Sequence, residues 1–146
     1  MDTIDKQILM ILQDQARISM TDLGKEVALS QPAVTERVRR MEEKGIIQSY
    51  RASVCPAKVK KQSMAYILFH TKDCESFIRF CKETQDVIEL HRISGQYNYL
   101  VKVLTETMDS LERFINASGK YGDSTTLIVM SSPIESRKVV PVLDEE

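Results

Sequence analysis

The chain has 146 residues, of which 28% are charged and 42% hydrophobic, with 20 Lys and Arg against 21 Asp and Glu. This composition is typical of a globular protein, and the length allows one average domain or two small ones. The formal net charge of −1 excludes strong overall attraction to nucleic acid or acidic membranes, so any such binding is local. The longest apolar runs, residues 8–12 and 64–69, are much shorter than the roughly 20 residues that a membrane span needs. Without a visible secretory signal, the sequence favours a cytoplasmic protein.

Neither metal binding nor catalysis is indicated by the sequence. Cys55, Cys74 and Cys81 form no C-x-x-C pair, and His70 and His91 are the only histidines. A structural zinc site needs four paired Cys or His ligands. Cys74 and Cys81 are seven residues apart, which predicts two buried thiols on one helix face, and His70 is predicted to be a core or interface histidine. The chain contains no G-x-S-x-G, P-loop or H-E-x-x-H motif, so we expect no metal, no cofactor and no enzyme activity.

Three short helices are predicted in the first 45 residues. The apolar residues between Ile4 and Leu12 recur at helical spacing behind a capping residue, Asp2 or Thr3. Ser19 and Ser30 are placed to cap a second and a third helix.

The break between the second and third helices is typical of a helix-turn-helix. Gly24 has no side chain, which lets the third helix cross closely over the second. Gly45 predicts the end of the third helix. Two short strands predicted at residues 46–50 and 52–54 would make the unit a winged variant.

The third helix carries two different faces. Val34, Val38 and Met41 share its apolar face, because successive residues are about 100° apart. The opposite face is polar and would enter a major groove. Arg37 lies at the rim of the apolar stripe, which predicts an ion pair with the first or second helix. The predicted DNA-binding residues are Ser30, Gln31, Pro32, Thr35, Glu36, Arg39 and Arg40.

The side chains on this polar face suit different DNA contacts. Arg39 and Arg40 suit phosphates or guanine edges, and Gln31 and Thr35 suit either phosphates or bases. Glu36 would accept from cytosine or repel phosphate.

Residues 63–131 predict a β-α-β-β-α-β order, which is the ferredoxin-like arrangement. The predicted strands are 63–71, 86–94, 97–105 and 125–131. One helix is predicted to begin at Asp73 or Cys74, a second follows the capping residue Thr107, and Gly95 with Gln96 forms a hairpin turn.

Both alternating residue sets of the strand at 64–69 are apolar, and apolar residues also alternate along 97–104. Two helices cover one face of a four-stranded sheet, so the other face would expose an apolar patch. We expect a second copy to cover it, which predicts a homodimer. The alternative, cover by the tail after Pro133, is disfavoured because that tail is polar.

Several motifs, spread over residues 2–133, are those of a known family. They are IDKQIL at 4–9, AR at 16–17, LG at 23–24, LS at 29–30, VTERV at 34–38, MEEKGII at 41–47 and GQYNYLV at 95–101. Through them the chain resembles the Lrp/AsnC family, the leucine-responsive or feast/famine regulators of bacteria and archaea.

The resemblance implies an α+β protein with two functional parts. A winged helix-turn-helix at 1–50, with the helix-turn-helix itself at about 21–40, is joined through a linker strand and hinge at 51–61 to a ferredoxin-like αβ-sandwich of the RAM/ACT type at 62–146. The resemblance further implies a transcriptional regulator that assembles as dimers and often as tetramers or octamers. Such a protein would associate with the nucleoid.

Family members commonly bind an amino acid near the hairpin glycine. Carried over by resemblance, the effector site would comprise Gly95, Gln96, Tyr97, Asn98, Thr125 and Thr126. The family usually has an acid where this chain has Asn98, and a neutral amide lacks the charge-assisted bond to an ammonium group. A different effector, or none, is the alternative.

Two other functions fit the sequence. One is an architectural protein that wraps DNA with little sequence specificity. The other is a small-molecule-binding module that acts on a protein partner.

Overall fold

A computed structural model of the chain describes residues 1–143. The described residues divide into two compact units, one of Met1–Ser53 with the tail from Ile134 and one of Val54–Pro133. No helix among residues 1–143 is long and apolar enough to cross a bilayer.

The first unit contains three helices, each capped by a side chain. They are α1, Thr3–Asp14, α2, Met20–Glu26, and α3, Gln31–Glu43. Asp2, Ser19 and Ser30 each accept a hydrogen bond from the backbone N–H three residues later, which satisfies a donor that the helix leaves open. Their core is formed by Ile8, Leu9, Leu12, Leu23, Val27, Val34, Val38 and Met41. The predicted helices and caps are therefore confirmed.

The turn between α2 and α3 depends on a close backbone approach at Gly24. The Leu29 N–H donates to the Gly24 carbonyl at 2.8 Å, and Ala28 adopts a left-handed conformation with φ 54°. A Cβ on Gly24 would lie 2.7 Å from the Leu29 carbonyl oxygen. Glycine is thus required by the tight turn that leads into α3.

Gly45 ends α3 as predicted, with a left-handed backbone conformation at φ 69° and two backbone hydrogen bonds that close the last turn. The Gly45 N–H donates to the Glu42 carbonyl and the Ile46 N–H to the Met41 carbonyl, both at 2.9 Å, which is a Schellman ending. The strands predicted at 46–50 and 52–54 are wrong, because residues 46–54 form no strand. A single residue separates the two segments, and a hairpin needs a loop of about two residues or more.

The tail after Ile134 packs on α1 within the first unit. The Gln13 side chain donates to the Val139 carbonyl at 2.9 Å and accepts from the Val139 N–H at 2.8 Å, and Lys138 pairs with Asp14 at 2.6 Å. The resemblance places this tail in the second domain, whereas its contacts place it in the first unit. A glutamine that bonds the backbone of a residue 126 positions away leaves no periodic signal in the sequence.

The second unit has the predicted β-α-β-β-α-β order. Its elements are β1, Ser63–Thr71, α4, Cys74–Glu83, β2, Val87–Arg92, β3, Tyr99–Thr105, α5, Met108–Ser118, and β4, Gly122–Ile128. All neighbouring strands are antiparallel, in the order β2-β3-β1-β4. β4 begins three residues earlier than predicted. Gly122 starts it opposite Thr71 with φ 154°, at a place where a Cβ would overlap the His70 carbonyl.

One face of this sheet packs against α4 and α5. The Phe69 and Phe77 rings stack at 4.1 Å between centroids in the middle of that core. Cys81 is buried there, which raises the pKa of its thiol to about 11, whereas Cys74 is only half-buried. The prediction of two buried thiols therefore holds for Cys81 alone. His70 is exposed at the end of β1 and is not a core residue.

Candidate functional site

α3 presents a polar face to solvent opposite its buried stripe. Val34, Val38 and Met41 are 5% exposed or less, so they fix the rotation of the helix. Of the seven predicted DNA-binding residues, six are exposed and Glu36 is half-buried. They occupy one continuous surface that runs from the N-terminus of α3 along the helix.

Arg37 is on α3 but points away from this surface. Its Nη1 donates to the Asp2 and Asp5 carboxylates, each at 2.7 Å. The carboxylate of Asp2 and then that of Asp5 raise the pKa of the Arg37 guanidinium. The predicted ion pair between α3 and the start of α1 is thereby confirmed.

Both arginines of the exposed face are paired with glutamates of the same helix. Glu36 accepts from Arg39 through two bonds, at 2.8 and 2.9 Å, and from Arg40 Nε at 3.0 Å. Arg39 also donates to Glu43. The hydrogen bonds from Arg39 and then Arg40 lower the pKa of the Glu36 carboxyl to about 2, so it is ionised at neutral pH. Glu43 was missed as part of this cluster, although its i, i+4 spacing from Arg39 signals the pair.

The first turn of α3 is also ordered by side chains. The Thr35 hydroxyl donates to the Gln31 carbonyl at 2.8 Å, and Gln31 Nε2 donates to the Thr35 hydroxyl at 3.2 Å. Ser30 caps the helix and Pro32 lies in its first turn. Ser30, Gln31 and Thr35 therefore form a polar patch beside Pro32 at the N-terminal end of α3, the end from which recognition helices contact base edges.

The predicted effector residues lie around the loop between β2 and β3. Gly95 has φ 121°, a conformation that favours glycine, and the Ile93 N–H closes the loop by donating to the Asn98 carbonyl at 3.0 Å. The Tyr97 hydroxyl lies 2.7 Å from the Thr125 hydroxyl on β4. The structure thus brings the loop and β4 together through one exposed polar contact.

The Asn98 side chain bonds the backbone of Thr71 at the end of β1. Its Oδ1 accepts from the Thr71 N–H at 3.0 Å, and its Nδ2 donates to the Thr71 carbonyl at 2.8 Å. The amide therefore extends the pairing between β3 and β1 by one step. An aspartate lacks the donor for the second bond.

Thr125 and Thr126 do not share a site, because adjacent strand residues point to opposite faces. Thr125 pairs with Leu68 of the uncovered face, whereas Thr126 pairs with Ile67, which is buried beneath the helices. Only Thr125 meets Tyr97.

The uncovered face of the sheet, which is the face opposite α4 and α5, is largely apolar and carries a polar cluster of Lys102, Glu89 and His91 toward its β2 edge. Lys102 Nζ donates to Glu89 at 3.2 Å across β3 and β2 and lies 5.8 Å from the centre of the Tyr66 ring. Leu127 remains 48% exposed and Ile88 49% exposed. The remaining apolar residues of this face are Met64, Leu68, Leu100 and Leu104.

Two family models match the chain, one for each half. Residues 1–48 match a winged helix-turn-helix DNA-binding model, and residues 64–139 match the Lrp/AsnC ligand binding domain. The second match covers more than half of the chain. The chain belongs to the Lrp/AsnC family.

Individual relatives agree with this assignment over nearly the full length. The uncharacterized HTH-type transcriptional regulator YezC of Bacillus subtilis is 46% identical over 132 residues, which are 90% of this chain and 95% of YezC. The solved structure of Bacillus subtilis LrpC superposes with a TM-score of 0.89 at 31% identity and covers 94% of this chain and 99% of LrpC. The regulator NMB0573 of Neisseria meningitidis, solved as an L-Met complex, has a TM-score of 0.89 at 21% identity over 95% of this chain and 96% of its own, a likeness of fold alone.

This Lrp/AsnC protein is a helix-turn-helix transcriptional regulator with a ligand-binding domain. The predicted family is confirmed, and so is the fold class of an N-terminal helix-turn-helix with a C-terminal ferredoxin-like αβ-sandwich, although the two strands predicted at 46–54 are absent.

Proposed function

We propose that this regulator binds duplex DNA by placing the N-terminal part of α3 in the major groove. The observation that carries the proposal is the division of α3 into a buried apolar stripe and one continuous exposed polar surface. A helix docked by its apolar stripe offers its opposite face to a ligand at a fixed rotation.

Each residue of that surface has a role that suits its position. Gln31 and Thr35 reach base edges near the start of the helix, while Ser30 and Pro32 hold the helix end toward a phosphate. Arg39 and Arg40 contact phosphates or guanine edges one turn further along, and Glu36 lies between the two groups.

The uncovered sheet face would bind the same face of a second copy. Its apolar residues adjoin the Glu89–Lys102 ion pair near the β2 edge, so two copies bring together apolar surfaces beside charges that are already paired. A homodimer offers two α3 helices to one duplex, and further association into tetramers or octamers multiplies the contacts.

The loop at Gly95, Gln96 and Tyr97, with Thr125, forms the proposed effector site. An α-amino acid suits it, since the Tyr97 and Thr125 hydroxyls supply hydrogen bonds for its polar groups. The L-Met complex of the similarly folded NMB0573 supports this ligand class. Asn98 positions the loop, and Thr126 lies on the other face of the sheet. The protein acts without catalysis, in the cytoplasm at the nucleoid.

Fluorescence anisotropy with the double variant Arg39→Ala, Arg40→Ala tests the DNA-binding face. The probes are a labelled duplex of the gene's own upstream region and a scrambled duplex, at low and physiological salt. Losing two contacts of about 1 kcal/mol or more each lowers affinity at least about tenfold, and the salt slope falls by about one for each arginine that contacts a phosphate. The matched control is Arg79→Ala with Arg113→Ala, which removes the same charge from α4 and α5.

The outcomes separate the candidate functions. An upstream duplex preferred by about 10³-fold or more supports a sequence-specific regulator. Similar affinity for both duplexes, lost steeply with salt, supports the architectural alternative. No binding at low salt contradicts the proposed face and favours a module that acts on a protein partner. Equal loss in the two double variants also contradicts the proposed face, because binding then depends on total positive charge alone, and it favours the architectural alternative.

A further inference from the structure

One acid on the exposed face of α3, Glu36, bonds both arginines of that face. Glu36 Oε1 accepts from Arg39 Nη2 at 2.8 Å and from Arg40 Nε at 3.0 Å, while Oε2 accepts from Arg39 Nε at 2.9 Å. Arg39 has a second acidic partner in Glu43. Arg39 and Arg40, the two cationic residues of the proposed DNA-binding face, are therefore paired with carboxylates of their own helix in the free protein.

DNA that binds Arg39 or Arg40 must replace the carboxylate contacts that these arginines already make. A phosphate that meets Arg39 must compete with a two-point carboxylate contact that already matches the guanidinium geometry. A guanine edge offers the same two-point geometry through O6 and N7. A carboxylate released in the groove has its own partner there, because the cytosine amino group is a donor. A phosphate also offers two-point geometry to a guanidinium, but it offers no donor to the released carboxylate and repels it. Only the G·C edge therefore provides a partner for both the arginine and the acid.

We propose that Glu36 is a specificity-determining residue that withholds Arg39 and Arg40 from non-specific phosphates and releases them to G·C-containing sites in the groove. The inference rests on the proposed DNA-binding face and adds to it a role for the acid. The near-zero net charge of the chain agrees with it, because weak general attraction leaves local geometry to decide which duplex binds.

α3 contains a matched control for this role. Glu42 is on the same helix and carries the same charge, but it accepts from the Tyr50 hydroxyl at 2.8 Å rather than from either arginine. Glu42→Gln therefore removes one negative charge from α3 and leaves the Glu36 cluster intact.

The experiment compares full-length wild type, Glu36→Gln and Glu42→Gln by fluorescence anisotropy over a series of salt concentrations. The two probes are a duplex enriched by the wild-type protein from a random pool and a scrambled duplex of the same composition. For Glu36→Gln we expect about 5- to 10-fold tighter binding of the scrambled duplex and a salt slope steeper by about one, since each newly available phosphate contact adds about 0.9. The preference for the enriched duplex falls by a similar factor, and Glu42→Gln changes each affinity less than about twofold.

The triple variant Glu36→Gln, Arg39→Ala, Arg40→Ala identifies the cause of any gain. If Glu36 acts through the arginines, the triple variant binds the scrambled duplex no better than Arg39→Ala with Arg40→Ala. A gain that persists in the triple variant shows direct repulsion of phosphate by Glu36 and overturns the inference.

Failure of this inference is distinguishable from failure of the proposed face. If the arginine double variant weakens binding but Glu36→Gln behaves like Glu42→Gln, only the role of Glu36 is refuted. If the arginine double variant binds DNA as wild type does, the face and the inference both fall. Circular dichroism and the oligomeric state confirm that each variant remains folded.

Discussion

Replacing Gly24 by Ala probes the close approach that forms the turn before α3. The new Cβ would lie 2.7 Å from the Leu29 carbonyl oxygen, well inside the 3.4 Å at which ordinary contact begins. The obstacle is backbone, and the Leu29 N–H is already bonded to the Gly24 carbonyl at 2.8 Å, so the turn cannot retreat without stretching that bond. Overpacking costs about 1–3 kcal/mol and a weakened hydrogen bond about 1 kcal/mol, against about 1 kcal/mol gained from helix propensity. The free energy of unfolding therefore falls by about 1–3 kcal/mol.

Urea and thermal unfolding followed by circular dichroism at 222 nm measure this change, and DNA affinity should fall with it. The matched control is Gly119→Ala, because Gly119 has φ −58° and open space around its Cβ position. We expect that variant to be unchanged or stabilised by up to about 1 kcal/mol. A Gly24→Ala protein as stable as wild type, or more stable, refutes the steric reasoning and leaves propensity as the dominant effect.

Two further substitutions test contacts that position the sites. Arg37→Met removes the bonds to Asp2 and Asp5 and should lower the free energy of unfolding by about 1 kcal/mol at neutral pH. The hydrogen bond from the Asp5 N–H, and then that from Arg37, lower the pKa of Asp2 below its ordinary 3.8. These two bonds therefore stabilise the folded state fully above pH 3.8, and the stabilisation is lost as the pH falls through the folded-state pKa of Asp2. A variant deficit that does not shrink in acid contradicts this account. Asn98→Leu leaves the Thr71 N–H and carbonyl without their side-chain partner and should cost about 2 kcal/mol in urea unfolding, whereas a cost below about 0.5 kcal/mol would show that the amide is dispensable.

Local sequence signals predicted most of the secondary structure because their causes are local. Asp2, Ser19 and Ser30 cap helices through bonds to an N–H only three residues away, and Gly45 ends α3 through bonds within one turn. The two strands predicted at 46–54 were wrong because strand formation is not decided locally. A segment rich in residues with high β-propensity becomes a strand only where a partner strand is available to pair with it.

The candidate sites were predicted as sets of residues but not as arrangements. Helical periodicity placed Arg39, Arg40 and Glu36 on one face of α3, and it placed Arg37 at the rim. The direction of each side chain depends on distant groups, as the Arg37 contact with Asp2 shows. For the effector site, strand pairing decided that Thr125 and not Thr126 meets Tyr97.

The sequence by itself determined the family, the helix-turn-helix and the β-α-β-β-α-β order, because caps, glycines and hydrophobic periods act over a few residues. Only the tertiary structure decided which polar atoms are already paired. Asn98 bonds Thr71 across 27 positions, and Gln13 bonds Val139 across 126. Such pairings depend on where the whole backbone brings two segments together, and no spacing rule along the chain encodes them.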